Sequence, residues 1–327
     1  MTQQSPALAD LHQLRPRVYW SDMLASAGLG WAAFAVAVAQ PLGSAAGVIA
    51  MVVAIFALFR ALAFTHEISH QRHRLAGFET AWNWLVGFPL LLPSFMYAEV
   101  HFDHHRAALY GTKADPEYLP FARSARMTAG YVLQTLFIPL LLCLRFLILG
   151  PIALVVPSLQ RVLIERASAI AINHDYRREA TDRLIGVVCR DTLRLLAFWT
   201  VVIALLALGL LPLRAIAVWF IVTTSITLID GLRTLAAHEY ESDGATMDKA
   251  AQTADSIDIP GRIWTELWAP VGLRFHATHH AYPGIPYHAL PAAYRRLTQT
   301  MPDYGKMTRP GLLRTLGALW RKGLRAA

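Results

Sequence analysis

The sequence predicts an all-α protein that crosses a membrane several times, and three observations carry that expectation. Of 327 residues, 55% are hydrophobic and only 16% are charged, with a mean hydropathy of +0.38, too apolar for an ordinary soluble domain. The apolar residues gather into runs near the roughly 20 residues that a helical span needs. The histidines gather too: of 13 in the chain, nine stand in three tight boxes, His66 with His70 and His73, His101 with His104 and His105, and His276 with His279 and His280.

The elements follow in chain order within one membrane domain spanning 1–327. Residues 1–21 are polar, with Arg15 and Arg17. They lack a cleavable signal's apolar run and small-residue site, so the first apolar helix is expected to stay in the protein. Residues 22–40 and 44–65 are two apolar runs joined by Gln40-Pro41-Leu42-Gly43. So short a link makes the two helices antiparallel, a first transmembrane hairpin over 22–65 that returns the chain to its starting side as His66 begins. The segment 66–192 then carries boxes one and two. Within it, residues 79–98 are apolar but cut by Pro89 and Pro93 and rich in aromatics, which reads as interfacial or re-entrant. The run 130–157 is interrupted by Pro139, Arg145 and Gly150-Pro151 and is expected to lie on the membrane surface. A crossing there would put box three on the opposite face from boxes one and two. Leu193–Leu211 and Leu213–Ile229 form a second hairpin, 193–230, and 231–327 is a less hydrophobic cap that opens on Asp243, Asp248, Asp255 and Asp258. Four transmembrane helices in two hairpins, with a cytoplasmic helical cap, is the predicted architecture.

Charge sets the orientation. The net charge is +8, and the basic residues crowd around the boxes (Arg60, Arg72, Arg74, Arg106, Lys113, Arg123, Arg126) and through 161–194, whereas Arg214 stands alone on the far side. The positive-inside rule places both termini and all boxes on the cytoplasmic face of an integral membrane protein, the inner membrane if the source is bacterial. The same charge suits anionic membrane lipids, or an acidic protein such as an electron donor or an acyl carrier. No nucleic-acid motif accompanies it. Cys143 and Cys189 are the only cysteines, which leaves neither a disulfide framework nor thiolate ligation to expect.

The boxes carry the chemistry. Spacings of three and four residues put side chains on one face of a helix turn, where they converge. Nine nitrogens exceed the four that one zinc takes and call for two metal ions, and imidazole-rich sites with open positions suit iron and oxygen. His66-Glu67-Ile68-Ser69-His70 also reads as HExxH, in which His66 and His70 bind zinc and Glu67 activates water. An intramembrane zinc metalloprotease would leave both His-His pairs idle. A metal-binding or transport protein without redox catalysis would put ionisable residues inside the spans, and the spans carry almost none.

The pattern His66-x3-His70, His101-x2-His104-His105, His276-x2-His279-His280, placed around two apolar hairpins, resembles the membrane fatty acid desaturase and hydroxylase superfamily over roughly residues 20–300. The resemblance implies two iron ions with O2 as co-substrate, and metal ligands at His66, His70, His101, His104, His105, His276, His279 and His280, together with His238, which stands where the family has a further histidine after its fourth span. It implies oxygen-dependent desaturation of a fatty acyl chain carried by a lipid, CoA or carrier protein and drawn from the bilayer into an apolar tunnel. A hydroxylase or acetylenase on the same scaffold is the alternative. No electron-transfer module is visible in the sequence, so an external donor of ferredoxin type is expected. Each ligand ring needs a partner on its other nitrogen, for which Glu67, Asp103, Asp230 and Glu239 are candidates. His73, on the box-one face, and His174 are further possible ligands, and His288 is a neighbour of the metals or the substrate. Some family members have an Asn one turn before the lone histidine, holding a water near one iron; here that position is Thr234.

Overall fold

A computed structural model describes residues 6–326. Among the described residues the backbone is helical, and strand-like pairing is limited to three isolated bridges. α1 (Pro16–Ala39) starts on a proline, whose fixed φ and missing N–H suit a first turn. α2 (Ala45–Gln71) is capped by Ser44, whose hydroxyl accepts from Gly47 N. Small residues let the two approach closely: a Cβ on Gly30 would meet Leu58 Cγ at 2.6 Å. α2 continues past residue 65, so His66 and His70 of box one ride on its last two turns.

Of the two readings of the next segment, interfacial or re-entrant, its burial removes the interfacial one. α3 (Phe78–Trp82) passes into a π turn, and the chain then runs irregularly to Glu99. Phe88, Leu90, Leu91, Phe95 and Met96 are buried in the main core against α1, α2 and the later spans. Backbone that is not helical survives at such depth only where protein satisfies it, and here indoles do so: Trp31 donates to Leu85 O at 2.7 Å, Trp199 to Phe88 O at 2.9 Å and Trp219 to Pro89 O at 2.9 Å. Asn83 adds a side-chain acceptor for Ser94 N.

α4 (Val100–His105) carries box two. α5 (Ala125–Thr135), α6 (Ile138–Cys143) and α7 (Leu149–Ala153), the last two joined by a π turn, form a pair bent by 56°. The sequence reads this stretch as surface helices; its length and composition are those of a broken span or re-entrant loop. α8 (Pro157–Ala167) leads to α9 (Asp182–Ala207). Thr181 caps α9 eleven residues before the expected start, so Arg183, Arg190, Asp191 and Arg194 fall in its first half. α10 (Arg214–Leu235) outlasts the expected end at 230. Among the described residues three helices are long and apolar enough to cross a membrane, those starting at Pro16, Ala45 and Arg214, or four if the bent pair counts as one span; α9, expected to be a span, is not among them. α11 (Lys249–Asp255), α12 (Thr265–Trp268), α13 (His276–Ala281), α14 (Leu290–Thr300) and α15 (Leu312–Arg325) complete the chain.

Candidate metal centre

Nine imidazoles from four places in the chain meet in two adjoining clusters. His66, His70, His101 and His279 form one and His104, His238, His276 and His280 the other, the potential ligand atoms of each set lying within 4.8 Å of one another. His105 joins the first, its Nε2 2.9 Å from His101 Nε2 and 3.0 Å from His279 Nε2. Helix pitch makes the sorting: on α4 and on α13 the first and last imidazoles, four residues apart, fall to one cluster and the middle one to the other. Box three is held in place by Asp258, whose carboxylate accepts from Thr278 N and Thr278 Oγ1 at the start of α13. His238 lies in the turn after α10, fixed by Ile257 N to Ala237 O at 2.8 Å and Glu239 N to Asp255 O at 2.7 Å.

The hydrogen bonds around the rings show which nitrogen is bare. Tyr110 gives its hydroxyl hydrogen to Asp255 at 2.7 Å, so its 2.8 Å contact with His238 must accept from Nδ1–H. Tyr97 likewise donates to Glu117 at 3.2 Å, and both groups lie within 3.0 Å of His101 Nδ1. Asp115 takes His104 Nδ1 at 2.9 Å while also accepting Gly111 N and Glu117 N. With Nδ1 protonated, Nε2 of these rings presents a lone pair inward. In the second cluster Nε2 of His238 lies 2.9 Å from that of His276 and 3.2 Å from that of His104, and His276 lies 3.1 Å from His280. Lone pairs crowded so closely repel, and a shared cation is what reconciles them. Further ring nitrogens, both of His66 and Nε2 of His70, are buried with no hydrogen-bond partner. Two all-imidazole donor sets without thiolate fit iron among the metals that imidazole serves.

Electrostatics keep the rings neutral. Burial, reinforced by neighbouring imidazoles, holds His101, His105, His276, His279 and His280 well below the ordinary histidine range, and His238 likewise. His104 is the exception: burial lowers it, but Asp115 outweighs burial and raises it. Burial also pushes Glu117 up to about 7 and Asp255 to about 6.

Other candidates lie elsewhere. α2 ends at Gln71 and tightens into a 3-10 turn, which swings His73 off the box-one face to an exposed contact with Arg72. His174 pairs with Gln134 at 3.0 Å, and His288 accepts from Arg15 N at 3.3 Å. The helix that carries Thr234 stops at Leu235, so the one-turn relation to His238 is lost, and the Thr234 carbonyl accepts from the Tyr240 hydroxyl at 2.7 Å. Three of the four acids expected to orient rings bond other groups instead. Asp103 accepts from Tyr176, Asp230 pairs with Arg233 and Glu239 with Arg309 and Lys322, which commits their oxygens to a phenol or to cations. Glu67 turns to the Tyr19 hydroxyl and Tyr287 N, with Oε1 3.6 Å from His66 Nδ1, so the HExxH glutamate is not free to activate water. The ring partners that sequence reasoning missed are Tyr97, Tyr110, Asp115, Glu117 and Ser256, with Asp255 behind Tyr110. The only signal for them was two acids flanking Pro116 shortly after box two.

A cavity of about 330 Å³ reaches the first cluster at His66. Phe59, Leu62, Ala63, Leu141 and Leu142 give it apolar walls, while Gln134, Asn173, His174, Tyr176, Asp230 and Arg233 supply its polar groups.

Comparison with known proteins adds two findings. The sequence profile described as fatty acid desaturase matches residues 42–311. A ceramide hydroxylase of Caulobacter vibrioides (strain NA1000 / CB15N) is 39% identical over an alignment of 330 residues, covering 98% of this chain and 93% of that protein.

Proposed function

Because the chain belongs to the fatty acid desaturase family, we propose that it is an integral-membrane enzyme that uses O2 to hydroxylate an aliphatic chain of a ceramide-type lipid. The observation that carries the reading is His66, which is at once a member of the first histidine cluster and a wall of the cavity. A chain lying in that cavity is brought against the centre. The family is a di-iron family, and the nine clustered histidines are the proposed ligands: His66, His70, His101, His105 and His279 for one iron, His104, His238, His276 and His280 for the other. Two irons, when bound, supply the oxygen activation that removes hydrogen from an unactivated methylene.

The remaining work falls to the chain's own residues. Phe59, Leu62 and Ala63, on the turns of α2 before His66, exclude water and confine the methylenes, so that geometry selects the carbon attacked. Gln134, His174, Asp230 and Arg233 offer donors and acceptors suited to the amide and hydroxyl groups of a ceramide-type headgroup. Asp115, Glu117 and Tyr110 hold the rings in the tautomer that keeps Nε2 free. The proposed placement has α1–α2 and α9–α10 as two hairpins and the clusters with α11–α15 on the cytoplasmic side, where the basic residues lie.

Desaturation, the first expectation from sequence, shares the hydrogen abstraction and differs only in the fate of the resulting radical. The similarity to a ceramide hydroxylase favours hydroxylation. Expression in a host fed a defined ceramide, under isotopically labelled oxygen gas, tests this by mass spectrometry of the extracted lipids. Hydroxylation adds one labelled oxygen atom; loss of two hydrogens without oxygen would make the enzyme a desaturase. Purified protein that holds one zinc and no iron would overturn the reading altogether.

A further inference from the structure

The first cluster comes to the surface beside α4. Seven of the nine clustered histidines are buried, and the two that are only part-buried, His70 and His105, are in ring contact at 5.0 Å. Beside them stands Phe102, which α4 turns outward: it is 42% exposed, and its ring meets His70 edge to face at 5.6 Å. Phe102 is thus an exposed aromatic touching an imidazole of the first cluster.

Its surroundings are cationic. Lys249, exposed at the start of α11, stands beside α4, because Gln252, which accepts from its Nζ, donates in turn to His104 O at 3.2 Å. Its hydrogen bond is to Gln252, at 3.1 Å, and no carboxylate pairs with it among the described residues. Arg106 follows His105 and is largely exposed, with Asp103 as its partner. At the end of α2, Arg72 shares Glu99 with Arg178 and Arg183, three cations on one acid. An exposed apolar centre within a rim of surplus positive charge is how a protein surface selects and steers an acidic partner.

We propose that this face, centred on Phe102 with Lys249 and Arg106 at its rim, docks a small acidic one-electron carrier protein, and that electrons enter the centre through Phe102 and His70. The inference rests on the oxygen-dependent reaction proposed above. There, one oxygen atom enters a C–H bond and the other leaves as water, which draws two electrons and two protons from outside. The carrier docks twice per turnover and is oxidised by one electron each time. The part-exposed rings of His70 and His105 give a route inward from Phe102. An acyl carrier is also acidic, but it would have to deliver its chain to the cavity, and none of Phe102, Lys249 or Arg106 lines that cavity.

The test uses full-length protein in lipid nanodiscs and a plant-type ferredoxin as probe. Binding of oxidised ferredoxin to the iron-free protein is expected to weaken about tenfold or more in Lys249→Glu with Arg106→Glu, and to lose most of its dependence on ionic strength. In iron-loaded protein, ferredoxin-driven reduction of the centre should slow equally in that variant and in Phe102→Ser, while reduction by dithionite and iron content stay unchanged. Lys249→Gln, a milder change at an exposed site, should show the same direction if the double variant proves unstable. Unaltered ferredoxin binding overturns the proposal, as does equal slowing with dithionite. Weakened binding of an acyl carrier protein with ferredoxin unaffected overturns it as well. Unmodified protein that takes up no reducible iron would instead sink the functional reading, whatever ferredoxin does, so the two failures are distinguishable.

Discussion

Asp115 shows how much of this centre depends on single side chains outside it. Fully buried, it accepts from His104 Nδ1, Gly111 N and Glu117 N, so one carboxylate shapes the turn after box two and fixes a proposed ligand ring. Partners of this kind are worth about 10- to 100-fold in metal affinity. Asp115→Asn keeps the shape and loses the charge, and is expected to cost about tenfold in affinity at the second cluster; the mean metal content per chain after dialysis should fall below two. Unchanged stoichiometry and affinity would show that His104 needs no such anchor. Asp115 and Tyr110 were not legible in the sequence, because a partner set by tertiary contact leaves no spacing to recognise. The boxes were, because their members share helix turns.

Among the elements, α2 joins substrate confinement to metal binding, since Ala63 lies one turn before His66 on the cavity wall. Ala63→Phe should fill the apolar part of the cavity, sharply reduce turnover of long chains and shift products toward shorter ones while leaving metal content intact; an unchanged product profile in lipid mass spectrometry would place the substrate elsewhere. The broken segment between α3 and α4 makes a second case. Trp219→Phe strips the N–H from Pro89 O, and an unpaired buried carbonyl costs about 1–3 kcal/mol, so thermal unfolding in detergent should begin at a lower temperature. Hydropathy located the apolar runs but could not choose for 79–98 between an interfacial and a re-entrant segment, because the two have the same composition. It also began α9 late, since the charged first half of that helix interrupts the apolar signal that the Thr181 cap precedes.

For the whole molecule, the centre is a stitch that ties α2, α4, the turn after α10 and α13 together. Chelating the metal should therefore lower the unfolding temperature, and a metal-free protein as stable as the loaded one would argue against the ligand set. Acid should act in the same direction. Burial holds most of these histidines below their ordinary value of 6.5, so below that pH the unfolded chain binds protons that the folded chain refuses. Stability of the metal-free protein is then full above 6.5 and falls as the pH drops, which denaturation midpoints across that range would record. The all-helical membrane architecture was legible in composition. How the nine rings divide was not, since that depends on how α4 and α13 face each other.

That division has a consequence for assembly. α4 sends His101 and His105 to one cluster and His104 to the other, and α13 sends His279 to one and His276 with His280 to the other. Neither short helix can settle around one ion without also fixing rings for its neighbour. Ordering entropy spent on the first ion is saved on the second, which is positive cooperativity. Native mass spectrometry during metal titration should find chains with none or two, and few with one.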